Sequence, residues 1–183
     1  MAPFSGPVVK AYNQLLAEQK QHGAINVSTR LFSTTIHEVS RLTYGNYEPD
    51  GGTALFDSLV STIDATQAAT PASVSVVIVI ISDGEDNESK TSTAACKARI
   101  MDRLAAGWRF IFVGANQDAI KVATDLGIEP ECALTFAASA KGVGQAMRAV
   151  SETLIAYRSG RQLVFRDQHR ATHKLLLREC NPE

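Results

Sequence analysis

Aspartate is missing from the first quarter of the chain: the first one is Asp50. No Asp-based acid pair or metal loop can therefore precede that point. Cysteine is scarce as well. Cys96, Cys132 and Cys180 lie far apart and form no CxxC pair, which argues against a zinc ribbon or a disulfide framework. Unpaired thiols suit a reducing compartment, so a cytoplasmic location is expected. The formal net charge is only −1, which gives no electrostatic reason to expect nucleic acid or an anionic membrane as partner. No apolar run is long enough to span a bilayer, and the first residues carry no signal-peptide pattern.

Familiar catalytic signals are equally scarce. There is no Gly-Lys-Ser/Thr phosphate loop and no nucleophile elbow. Gly142-Val143-Gly144 lacks the third glycine of a dinucleotide fingerprint and reads as a helix start. The loop from Asp83 alternates oxygen ligands as a calcium loop does, but Glu88 stands where glycine is needed and Ala94 where the closing glutamate belongs. His22, His37, His169 and His173 are scattered, and without a third ligand they read as solvated surface residues.

What remains is an ordinary globular composition, 183 residues with 45% hydrophobic and 20% charged, enough for one domain with a substantial core. Its centre is the stretch 74–82, where Val76–Ile81 is a run of β-branched residues. Such a run reads as a parallel strand buried on both faces. Before it, helical spacing predicts a helix over 5–21, with Ser5 as cap. Alternation then predicts strands over 24–32 and 35–42, joined by Ser33-Thr34 as an antiparallel edge hairpin. A helix follows over 53–66.

After the acidic loop the pattern gives a helix over 92–106, a strand over 108–114 and a short helix capped by Asn116 and closed by Gly127. A weaker strand over 131–136 and a last helix opened by Ser139 complete it. This alternation implies an α/β fold: a doubly wound, mainly parallel, Rossmann-like sheet with helices on both faces. The domain spans 1–158. Residues 159–183 read as a C-terminal tail, loosely docked, with a short strand at 163–165 and a short helix at 175–177.

Two pieces carry chemistry. Gly51-Gly52-Thr53-Ala54-Leu55 puts a hydroxyl at the mouth of a helix, and Ile80-Ile81-Ser82-Asp83-Gly84-Glu85 puts a carboxylate at the end of the central strand. Open α/β sheets bind ligands just beyond the carboxyl ends of their strands. Thr53 and Asp83 are hard oxygen ligands of the kind Mg²⁺ takes. Asp86 and Glu88 read as a solvated acidic loop, and Trp108 as a core residue.

These two motifs, with Tyr12–Gln19 and Gly107–Asp118, resemble in order and spacing a bacterial and phage branch of the von Willebrand factor A (VWA) domain family, over about residues 5–155. The resemblance implies a metal-ion-dependent adhesion site built from three loops: an Asp-x-Ser-x-Ser after the first strand, a threonine, and an aspartate. The threonine corresponds to Thr53 and the aspartate to Asp83. It further implies a non-enzymatic module that binds a protein ligand through an acidic side chain of the partner at the metal.

The chain departs from that pattern at its start. The Asp-x-Ser-x-Ser loop and the first, central strand that carries it are missing. Met1 then corresponds to the methionine that follows the motif in the family, a hypothesis that the upstream reading frame tests. Two protein ligands give only very weak Mg²⁺ binding, and the missing strand leaves two strand edges open. Strand closure, filling by residues 162–166, and donation from another chain are the alternatives. A metal-independent interaction or scaffold protein on the same fold is the second functional reading. A small Mg-dependent phosphate-ester hydrolase using Asp83 with Glu85 or Asp86 is the third.

Overall fold

The computed structural model describes residues 5–47, 51–83, 85–115 and 118–171. In chain order it contains α1 (Ser5–Gln21), β1 (Thr29–Phe32), β2 (Ile36–Val39), α2 (Leu55–Ala69), β3 (Val77–Ser82) and α3 (Thr93–Ala105). Then come β4 (Arg109–Ala115), α4 (Ala119–Asp125), a 3-10 turn (Pro130–Cys132), β5 (Ala133–Phe136) and α5 (Ala140–Arg158). The expected α/β order is thus present. The strands form two sheets, not one. β3, β4 and β5 are parallel in that order, with Val77 opposite Arg109 and Phe112 opposite Ala133. β1 and β2 form a separate antiparallel pair, with Thr29 opposite Val39 and Phe32 opposite Ile36.

β4 explains why the parallel sheet needs two layers of helix. Its side chains alternate between faces, and from Phe110 to Ala115 every one is buried. Phe110 and Phe112 pack with Ile78 and Ile80 of β3 against Leu59 and Ile63 of α2, Ile100 of α3 and Ala123 of α4. Ile111 and Val113 face the other way. There they join Phe136 and Leu134 of β5, Val8 and Leu15 of α1, and Met147 and Val150 of α5. Trp108 is core, as expected, with the Arg103 guanidinium over its ring.

Several local expectations are corrected. The strands read as 24–32 and 74–82 begin later, at Thr29 and Val77. The hairpin link runs through Ser33, Thr34 and Thr35. Ser5 lies inside the first turn of α1. Asn116 is outside the described residues; the cap of α4 is Asp118, whose carboxylate accepts the Lys121 N–H at 3.0 Å. Ser139 does cap α5, accepting from the Gly142 N–H.

The segment after α5 does more than trail. Leu163 and Phe165 are buried in the α1–α5 layer, and the Phe165 N–H donates to the Glu131 carbonyl at 2.8 Å. They form no strand and lie beside the turn that leads into β5. His169, expected at the surface, is buried at 8% exposure. Its Nδ1 accepts the Arg166 N–H, and its Nε2 meets a Glu152 carboxylate oxygen at 3.0 Å. His173 and the helix expected at 175–177 fall outside the described residues. Among the described residues no helix is long and apolar enough to cross a membrane.

Candidate functional site

α2 starts without a cap of its own. Ala54 occupies the N-cap position and offers no side-chain acceptor, although the first turn of any helix exposes N–H groups that need one. The acidic loop after β3 supplies them from across the fold. The Asp86 carboxylate accepts the Phe56 N–H at 3.2 Å, and the Ser89 hydroxyl accepts the Asp57 N–H at 3.1 Å while donating to Asp86. In return the Asp57 carboxylate accepts the N–H groups of Lys90 and Thr91 at 3.0 and 2.8 Å. Hydrogen bonds from the Thr91 side chain and from those two backbone groups hold Asp57 below its ordinary pKa of 3.8.

Thr53 is clamped by the same loop. Its N–H donates to Asn87 Oδ1 at 2.7 Å, and its carbonyl accepts the Asn87 and Glu88 N–H groups. On the other side the Ala54 N–H donates to the Ser33 carbonyl at the end of β1. Two glycines make this approach feasible. Gly51 has φ +80°, and a Cβ on Gly52 would lie 2.2 Å from Cγ of Glu88.

Thr53 is half-buried at the mouth of α2. Asp83 is exposed directly after β3. The clamp therefore carries both expected residues at one end of the molecule, where β1 and β3 also end. Tyr47 faces the same region: burial, with the Asp83 charge adding to it, pushes its phenol up to about 12.

The reading of Asp86 as a solvated loop residue is corrected. It is half-buried and caps α2. Sequence offered one signal for this, the lack of a capping side chain at Ala54; nothing in the local pattern pointed to Asn87 or Ser89. Glu88 is exposed, as expected, and Glu85 is exposed as well.

A divalent ion does not fit the described residues as a complete centre. Among them no group of three or more His, Cys, Asp and Glu is placed to hold a metal. Thr53 and Asp83 supply two oxygens, and the neighbouring oxygens of Asp57, Asp86 and Asn87 already accept backbone N–H groups. Mg²⁺ needs near-octahedral oxygen coordination, most of it then left to water. Two concavities of about 260 Å³ each lie elsewhere. One is between α1 and α5 beside Glu18 and Arg148, the other beside Glu152 and Arg166. No family model matches the chain, and no curated protein is significantly similar to it.

Proposed function

We propose that the chain is a protein-binding module of the von Willebrand factor A type. Its recognition surface is the rim formed by Thr53, Asp83 and the loop 85–91. The observation that carries this reading is the clamp itself. Four side chains of two distant segments, Asp57, Asp86, Asn87 and Ser89, are spent on holding Thr53 and the residues after Asp83 in fixed relation at the carboxyl end of the sheet, where an open α/β fold presents its ligands.

Metal-independent recognition on this rim has its own support: Asp57, Asp86 and Asn87 already act as backbone acceptors and so make poor metal ligands. The same engagement of Asp86 weighs against the form of the hydrolase reading that pairs it with Asp83, and leaves Glu85 as the second carboxylate.

The test is a short peptide with a central aspartate, followed by NMR at the amides of Thr53 and Asp83 with Mg²⁺ and again with EDTA. Shifts that need Mg²⁺ support the adhesion-type reading, and shifts unchanged by EDTA the metal-independent one. No shift in either buffer, together with Mg²⁺-dependent hydrolysis of p-nitrophenyl phosphate, sinks both in favour of the hydrolase.

A further inference from the structure

α3 carries apolar residues on two faces, and the fold uses one of them. The inner face is spent on the core: Cys96 and Ile100 are fully buried, and Leu104 packs with them. Helical spacing also puts Ala94, Ala98, Met101 and Ala105 on one face, the pattern of a helix side that packs. The structure turns that face outward. All four residues are exposed, Met101 at 48%. The Met101 side chain lies over Gly127, where a Cβ would come within 2.8 Å of its Sδ.

The spacing of 4, 3 and 4 residues is that of the a and d positions of a two-stranded coiled coil. Ala98 and Ala105 fall at a, Ala94 and Met101 at d. In that frame Lys97 falls at g and Asp102 at the following e, the positions whose charges pair between two parallel helices. The structure sets these charges on opposite flanks of the face. Lys97 leans towards Gly127, its Cε 3.5 Å from where a Cβ would stand there. Asp102 lies towards α2, joined through Arg99 to Asp64. Among the described residues Lys97 has no ion pair. The contacts of Asp102 with Arg99 and Arg103 use only Oδ2, which leaves Oδ1 for a further cation.

We propose that this face binds a second copy of the chain, with the two α3 helices side by side and parallel about a two-fold axis that runs along them. That symmetry sets the Lys97 flank of each copy against the Asp102 flank of the other, which gives two ion pairs across an apolar seam. An antiparallel pair would bring Lys97 against Lys97 and Asp102 against Asp102, like charge facing like. This self-complementarity is what selects a second copy as the occupant: one helix face supplies both halves of the contact. The seam is a single 13-residue helix, well below a standard interface, so a weak and reversible dimer is expected. α3 begins directly after the loop 85–91, with Ser92 as its cap. An axis along α3 therefore places both Thr53–Asp83 rims at the same end of the dimer. On the proposed reading of that rim the dimer is bivalent, and two weak contacts reinforce each other on one partner surface. The dimer itself does not rest on that reading.

Sedimentation equilibrium of the whole chain, with no ligand added, tests the proposal. The mass should rise with concentration towards that of a dimer, with a Kd of about 100 µM. Lys97→Asp and Asp102→Lys should each weaken association at least about tenfold, and the two together should restore it to within about threefold. Single variants that change nothing, or a double variant as weak as the singles, overturn the charge pairing. A constant monomer mass up to about 1 mM overturns the dimer. Helix orientation is read by mild oxidation in a Cys180→Ser background, where Cys96 and Cys132 are buried. Ala94→Cys alone should form a disulfide-linked dimer, as should Ala105→Cys alone. Linkage only when these two variants are mixed means an antiparallel pair and overturns the arrangement. Peptide shifts at Thr53 and Asp83 are read separately, so failure of the dimer and failure of the rim are told apart.

Discussion

The Phe56 N–H donates to the carboxylate of Asp86, thirty residues further along the chain, at 3.2 Å. This bond caps a helix whose own N-cap residue, Ala54, has no acceptor. Asp86→Ala should therefore cost about 0.5–2 kcal/mol, as the loss of a good N-cap does. Ser89→Ala should cost a similar amount, and the double variant less than the sum, because Ser89 also donates to Asp86. Urea unfolding of the three variants measures this. Full additivity would show that the two residues do not act as one cap.

Acid should loosen the same clamp. The folded-state pKa of Asp57 lies below its ordinary value of 3.8. Its contribution to stability is therefore complete above 3.8 and is lost as pH falls through the lower folded value. Glu18 is shifted in the same direction, chiefly by the Ser151 hydroxyl, so part of any acid slope belongs to it. Stability measured from pH 5 downward should fall less steeply in Asp57→Asn than in the parent chain. Parallel slopes would contradict the geometry at Lys90 and Thr91.

Metal should matter little to the fold. With only Thr53 and Asp83 as protein donors, an affinity near 10 mM is expected, so about 10 mM Mg²⁺ adds only about 0.4 kcal/mol. The melting temperature should then rise by less than about 2 °C with Mg²⁺ and not fall with EDTA. Calorimetric Mg²⁺ binding in the micromolar range, abolished by Thr53→Ala, would show a complete site.

His169 fastens the segment after α5. His169→Ala removes the acceptor of the Arg166 N–H and the partner of Glu152, and opens space beside Phe165. A loss of about 1–3 kcal/mol is expected, with faster protease cleavage between residues 161 and 171. Unchanged cleavage would mean that Leu163 and Phe165 hold the segment without it.

The order of elements was legible because each announces itself locally. The β-branched run at Val76–Ile81, the glycine stop at Gly127 and the Ser139 cap all act within a few residues. Strand ends were not legible. Val27 and Val74 continue the apolar alternation, but a strand exists only where a neighbouring ladder accepts its backbone. His169 and Asp86 were misread for a related reason: a polar residue looks solvated until the fold brings its partner, Glu152 in one case and the Phe56 N–H in the other. Thr53 and Asp83 were legible as junction residues, one just before α2 and one just after β3. The clamp between their loops depends on residues thirty or more positions apart and leaves no periodic trace.

That separation bears on synthesis as well as on stability. A helix capped by a loop far downstream cannot complete its first turn until the loop has been made. At ribosomal speeds of about 5–20 residues per second, Asp86 follows Phe56 by about 2–6 seconds. During that interval α2 has an open end and an apolar face still waiting for β3, so this stretch of the nascent chain is open to chaperones.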